Sequence, residues 1–179
     1  MIQITSPRLR RLRRLADVPR WAVIPTIHKQ SVAEHSFHVA HIALWLIDYY
    51  PRIPISDYII TDVLYYALIH DETEAITGDI PSPAGQRHIP GKSSAFEKTS
   101  GQGATTADDD VRDLLKVADL LEAFLFVKEE MALGNKMLDS ILLSIRSRLI
   151  PLTKTYPPTI LQDFMETYNL QIHPVDDED

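Results

Sequence analysis

The chain has no cysteine, so a disulfide scaffold and thiolate metal sites are both excluded, and histidine, aspartate and glutamate are left as the only strong metal ligands. It has no apolar run approaching the roughly 18 residues that span a bilayer. The arginines near the N-terminus are followed by no apolar segment, so the start does not read as a secretory leader and the expected compartment is the cytoplasm. Neither a P-loop nor a Rossmann glycine pattern is present, which argues against phosphate held in a backbone nest. There is no useful strand alternation, internal repeat or low-complexity linker. Positive charge is the minority: 18 Lys and Arg against 25 Asp and Glu give a net charge of -7. That balance opposes general nucleic-acid binding, and no stable nucleic-acid or membrane partner is expected.

What remains is helical patterning in a 179-residue chain, long enough for one domain with a real core. Ser6-Pro7 predicts a helix over 6–17, with Leu9, Leu12 and Leu15 or Ala16 on a buried face and the arginines of 8–14 around it. Ser31-Val32-Ala33-Glu34 is a capping box opening a helix to about Tyr50. Ser56-Asp57 opens a third helix that ends near His70-Asp71, and a short turn fits 72–77. After the polar, glycine-rich stretch 84–107, Asp108-Asp109-Asp110 starts a long helix ended by Gly134-Asn135. Two more helices fit 136–150 and 158–169, before an acidic tail over 174–179. The expected fold is a single all-α bundle of about six helices, with its site-bearing part over 20–135.

His70-Asp71 is the most informative pair, because it offers two metal ligands from one short piece of backbone. A metal needs more ligands than two, and His35 and Asp119 are the candidates on either side. Each has a plainer reading: His35 as a hydrogen-bonded core histidine, Asp119 as the ion-pair partner of Lys116 or Arg112. His38 is placed along the pocket and His41 facing out.

The ordered pattern H…HD…D is similar to that of the HD phosphohydrolase superfamily. The surrounding words, Arg20-Trp21, Ser31–Ser36, His70–Pro83, Lys116–Asp119 and Glu129–Asn135, resemble the bacterial 5'-deoxynucleotidases within it. The resemblance implies an all-α fold and one divalent metal (Co, Mn, Zn, Fe or Ni) held by His35, His70, Asp71 and Asp119. It implies Glu74 and Asp79 as catalytic or substrate-ordering carboxylates, Arg20 and Lys116 on phosphate, and Trp21 near the sugar and base. By the residues alone, Glu74 reads as a solvated helix charge, Asp79 as a turn former, Trp21 as a core aromatic and Arg20 as a surface cation. A deoxynucleotide substrate and a homo-oligomer, dimer or larger, are also implied. The final helices have enough apolar surface for an interface or simply for the core.

The stretch between Pro83 and Lys116 is shorter than in the usual bacterial deoxynucleotidases. The chain resembles in this the small phage HD enzymes that remove triphosphate from dATP. Arg87, Lys92 and Lys98 are candidates for meeting extra phosphates, against a plain solvated reading. The expectation is a dNTP triphosphohydrolase acting on dATP, with a 5'-deoxynucleotidase acting on monophosphates as the alternative. Two readings from another class are a nucleotide-sensing HD module without catalysis and a docking role for the Arg8–Arg14 run.

Overall fold

The computed structural model describes residues 6–49, 56–79 and 106–153. Within these the chain forms five helices of two or more turns and one four-residue turn of helix. Helix α1 (Pro7–Arg14) continues into a 3₁₀ turn, Leu15–Asp17; α2 is Val32–Ile47, α3 Asp57–Ile69, α4 Glu74–Thr77, α5 Thr106–Ala132 and α6 Asp139–Thr153. Among the described residues extended pairing is limited to an isolated antiparallel bridge, Pro19 to Ser31. The all-α expectation is met. The expected helix over 158–169, the acidic tail, and Arg87, Lys92 and Lys98 in the connector lie outside the described residues.

The helix starts follow from their caps. Ser6 Oγ accepts the Leu9 N–H ahead of Pro7, and Ser56 Oγ accepts the Ile59 N–H ahead of α3. At α2 the capping box is complete: Ser31 Oγ accepts the Glu34 N–H at 3.2 Å and Glu34 Oε2 accepts the Ser31 N–H at 2.6 Å. Helix α2 stops at Ile47, short of Tyr50, and α6 begins at Asp139 and runs to Thr153 past Pro151. Helix α5 ends where Gly134 takes φ of 102°, a left-handed turn that costs a glycine little.

Helices α2, α3 and α5 pack around one core, with α6 laid across α5. Val39, Leu46, Val63, Leu114, Phe124 and Val127 are fully enclosed in it. Ile145 and Leu149 of α6 are buried, so its apolar face serves the core, while Met137 ahead of it is exposed. Helix α1 departs from expectation. Leu9 is 48% exposed and Ala16 is exposed, and only Leu15 is buried from the predicted face. This two-turn helix is held by charge instead. Arg8 pairs with Glu72 at 3.1 Å, its guanidinium also donates to Tyr65 Oη, and Arg11 lies 3.8 Å from Glu72.

Candidate metal centre and adjoining pocket

Three segments bring the predicted side chains together. The capping box fixes the first turn of α2 and so sets His35, which is wholly buried. Helix α3 ends at Ile69, and the turn that follows presents His70 and Asp71. Asp119 comes from the middle of α5. His35 Nε2 lies 3.3 Å from His70 Nε2, 3.1 Å from Asp119 Oδ1 and 3.7 Å from Asp71 Oδ2, while His70 Nε2 lies 3.2 Å from Asp71 Oδ2. Donor atoms of His35, His70 and Asp71 are all within 4.8 Å of one another, and Asp119 flanks this group on the His35 side. Asp119 pairs with Arg20 and His35 rather than with Lys116 or Arg112, and Arg112 pairs with Asp109 at 2.7 Å.

The orientation of the imidazoles tests whether a cation fits. His35 Nδ1 is 2.5 Å from Glu122 Oε2, and His70 Nδ1 is 2.7 Å from the Ala67 carbonyl oxygen. Each outer nitrogen therefore carries the proton and donates it, and each Nε2 turns a lone pair to the same point. Two lone pairs 3.3 Å apart repel unless a proton or a metal cation lies between them. Ligands at about 2.1 Å and near right angles stand roughly 3 Å apart, which matches this spacing. The donor set fits one divalent metal of the nitrogen- and oxygen-binding kind.

The electrostatics are those of a crowded charge cluster. With no cation beside it, burial disfavours the charged form of His70, but the Asp71 carboxylate outweighs it and lifts the imidazole to about 9, so Nε2 then holds a proton toward Asp71 that a bound cation would displace. Burial pushes Asp71 up as well, yet His70 and His35 bring it down to about 2. Asp119 is held well below the usual carboxylate range, because His35 and Arg20 together outweigh its burial. Arg20 bridges the two acids, with its guanidinium nitrogens 3.7 Å from Asp71 Oδ2 and 3.5 Å from Asp119 Oδ1.

Two cavities meet at Asp119. The larger, about 430 Å³, is lined by Arg20, Trp21, Ile24, Asp79 and Leu120, with Ile141 and Ile145 of α6 as its far wall. The smaller, about 280 Å³, is lined by His70, Asp119, Lys116, Arg112 and Tyr66. Trp21 stacks on Phe126 at 5.3 Å and lies under the Arg20 guanidinium at 5.6 Å. Its φ of 63° is left-handed, and Asp79 Oδ2 accepts its N–H at 2.9 Å. Arg20 and Trp21 thus line the site rather than the open surface or the bare core. Glu74 opens α4 three residues beyond Asp71 and is 3% exposed, which overturns its reading as a solvated charge. His38 does not join the metal cluster. It lines a separate cavity of about 270 Å³ behind Glu122 together with His41, which is exposed as expected and also packs against Phe37.

Sequence reasoning missed Glu122, Gln30 and Glu130, all 3% exposed or less. Glu122 follows Asp119 by three residues on the same apolar side of α5, and a second carboxylate at that spacing is the signal that could have found it. Glu130 accepts the N–H groups of Ile27 and His28 at 2.6 Å each. Nothing in the sequence pairs it with them, because its partners are backbone groups over a hundred residues away.

Residues 9–99 match the family described as 5'-deoxynucleotidase YfbR-like. A dATP triphosphohydrolase of Salmonella phage PMBT28 is 36% identical over 129 residues, covering 67% of this chain and 66% of that protein. The chain therefore spans just under two thirds of that phage relative's length. The 5'-deoxynucleotidase YfbR of Escherichia coli is 28% identical over 144 residues, 69% of this chain and 72% of that one. The cyanophage S-2L HD phosphohydrolase, solved with dA and one catalytic Zn²⁺, shares the fold at a TM-score of 0.59 and 19% identity, over 95% of this chain and 100% of that one. The family match runs through Arg20, His35, His70 and Asp71, and the chain belongs to the 5'-deoxynucleotidase YfbR-like family of the HD phosphohydrolase fold.

Proposed function

We propose that the protein is a metal-dependent phosphohydrolase of 2'-deoxynucleoside 5'-phosphates, and that it takes dATP and releases deoxyadenosine and triphosphate. The observation that carries the hydrolase reading is the inward pairing of His35 Nε2 and His70 Nε2 beside Asp71 and Asp119. A divalent cation held by these four residues would acidify a bound water and polarise the phosphoryl oxygen. Arg20 supplies a planar donor fork for the charge that builds on the phosphoryl group, and Lys116 a point charge. Glu74 or Asp79 accepts the proton of the attacking water. The water oxygen bonds to the α-phosphorus, the bond from phosphorus to the 5' oxygen breaks, and the 5' oxygen leaves as a hydroxyl after taking up a proton. The larger cavity, walled by Trp21, Ile24, Ile141 and Ile145, suits a nucleoside.

Triphosphate and monophosphate substrates lose the same phosphorus–oxygen bond. They differ only in what trails the α-phosphorus. Arg112 and Lys116, one turn apart on α5, line the smaller cavity beside His70 and Asp119 and offer two cations for that tail. Likeness to the phage dATP triphosphohydrolase supports the same choice. The second reading, a 5'-deoxynucleotidase acting on monophosphates, is favoured by the family description and by the Escherichia coli relative. A nucleotide sensor without catalysis would not need all four donors together with Glu74 and Asp79.

The test is product analysis by anion-exchange chromatography after incubation with dATP or dAMP and Mn²⁺, Co²⁺ or Zn²⁺. Triphosphate from dATP is expected, falling more than about 100-fold in Asp119→Ala with melting behaviour retained. Phosphate from dAMP alone would establish the second reading. No release from either nucleotide with any of the metals overturns the hydrolase proposal.

A further inference from the structure

A buried hydrogen-bond chain runs outward from the metal centre to the aromatic wall of the larger cavity. His35 Nδ1 donates to Glu122 Oε2 at 2.5 Å. The other carboxylate oxygen, Glu122 Oε1, accepts from Gln30 Nε2 at 2.5 Å. Gln30 Oε1 then accepts the indole N–H of Trp21 at 3.2 Å. Gln30, Glu122 and His35 are each 3% exposed or less, with Gln30 and Glu122 bordering the cavity that holds His38, whose Nδ1 lies 3.6 Å from Glu122 Oε1. Glu122 can only accept, so Gln30 must turn its amide nitrogen inward and its oxygen to the indole. The chain closes on itself through Arg20, which sits over the Trp21 ring and pairs with Asp119, itself 3.1 Å from His35 Nε2.

We infer that Gln30 and Glu122 are positioning residues which couple occupancy of the metal centre to the placement of Trp21 in the adjoining pocket. They hold His35 in the tautomer whose Nε2 is a ligand, and the same two side chains set the angle of the indole. A cation drawing on His35 Nε2 strengthens the bond from Nδ1–H to Glu122, and the change passes through Gln30 to the indole N–H. The Trp21 ring stacks on Phe126 at 5.3 Å and lies under Arg20 at 5.6 Å, and its N–H is bonded to Gln30, so a shift of Gln30 is passed to the ring. The inference rests on the reading of the four-residue cluster as a metal centre. It adds that the nucleoside wall is set by whether that centre is filled.

The test needs no turnover. The chain has two tryptophans, so in a Trp45→Phe background the emission reports Trp21 alone. Titration of the full chain with Zn²⁺, a spectroscopically silent ion, should shift that emission with the same midpoint as metal binding measured by a competing chelator dye. Gln30→Met in this background should abolish the emission shift and weaken Zn²⁺ binding by about ten-fold, within the range usual for lost outer-sphere partners. Trp21→Phe in the otherwise unaltered chain keeps an aromatic side chain and deletes the indole N–H together with the smaller ring. It should weaken Zn²⁺ binding by a smaller but measurable factor, which a purely structural role for Gln30 would not produce. Zn²⁺ affinity within two-fold of the parent in both variants, with the emission shift retained in Gln30→Met, overturns the coupling and leaves the metal centre standing. No Zn²⁺ binding by the parent overturns the metal reading itself.

Discussion

Glu130 shows how much a single side chain can organise. Its carboxylate accepts two backbone N–H groups, from Ile27 and His28, and a third donor from Asn135 Nδ2 at 3.0 Å. It thereby ties the loop after Trp21 to the end of α5. Removing it leaves partly buried donors without their acceptor, so Glu130→Ala should destabilise the fold by about 1–2 kcal/mol. Burial raises its pKa but the Asn135 and backbone donors prevail, and the folded value lies below the ordinary 4.5. A lowered folded value means the contribution is whole above pH 4.5 and fades as pH falls through the folded pKa. Urea midpoints of the parent and Glu130→Ala should accordingly differ at pH 7 and draw together as pH falls below 4.5; a gap that does not change with pH refutes the assignment. At this scale the four candidate metal donors were legible because their residue types are scarce and their words distinctive. The groups behind them were not. Glu122, Gln30 and Glu130 act through partners about 90 to 100 residues away, and no local pattern encodes such pairs.

Among the elements, α2 matters most, because its first turn carries His35. The reciprocal Ser31 and Glu34 bonds end the incoming loop and begin the helix at one fixed residue. Ser31→Ala should cost about 1 kcal/mol of stability, read as a lower midpoint in denaturant. A neutral outcome would mean that the Pro19 bridge alone fixes this helix start. Helix starts were readable to within three residues, α6 beginning at Asp139 rather than 136, since the cap is local chemistry written in four positions. Helix ends were less so: α2 stops three residues before Tyr50, and α6 runs through Pro151 to Thr153. Which face of α1 is buried was not readable at all. Its leucine spacing pointed inward, but Glu72 and Tyr65 take up its arginines and leave Leu9 exposed.

Over the whole molecule, a net charge of -7 coexists with a site where two histidines and Arg20 face Asp71 and Asp119. A ligand that binds the native state alone stabilises the fold by mass action, about 2.7 kcal/mol at a hundred-fold excess over its Kd. For a chain of this size that corresponds to a rise in Tm of about 5–10 °C. Zn²⁺ or Mn²⁺ should produce it in the parent, EDTA should reverse it, and it should be absent from Asp71→Ala. An unchanged Tm at saturating metal would argue against three helical segments sharing one cation.

The segment from Val18 to Val32 is a closed loop with a fixed stem. The Arg20 N–H donates to the Gln30 carbonyl at 2.8 Å, the Val32 N–H to the Val18 carbonyl at 3.0 Å, and Pro19 bridges Ser31 between them. Chemistry-bearing side chains sit on the stem, while Val23 and Ile24, which face the larger cavity, sit on the arch. On the proposed function, the arch could be reworked so as to change which base the larger cavity takes, while His35, His70, Asp71 and Asp119 lie on other segments. Swapping Val23 and Ile24 for polar residues should alter relative KM among deoxynucleotides by several-fold while Zn²⁺ affinity holds, and a matching loss of Zn²⁺ affinity would show that stem and arch are not separable. On that reading, changes confined to the arch would alter selectivity without removing a metal donor, the footing from which one scaffold diversifies across similar substrates.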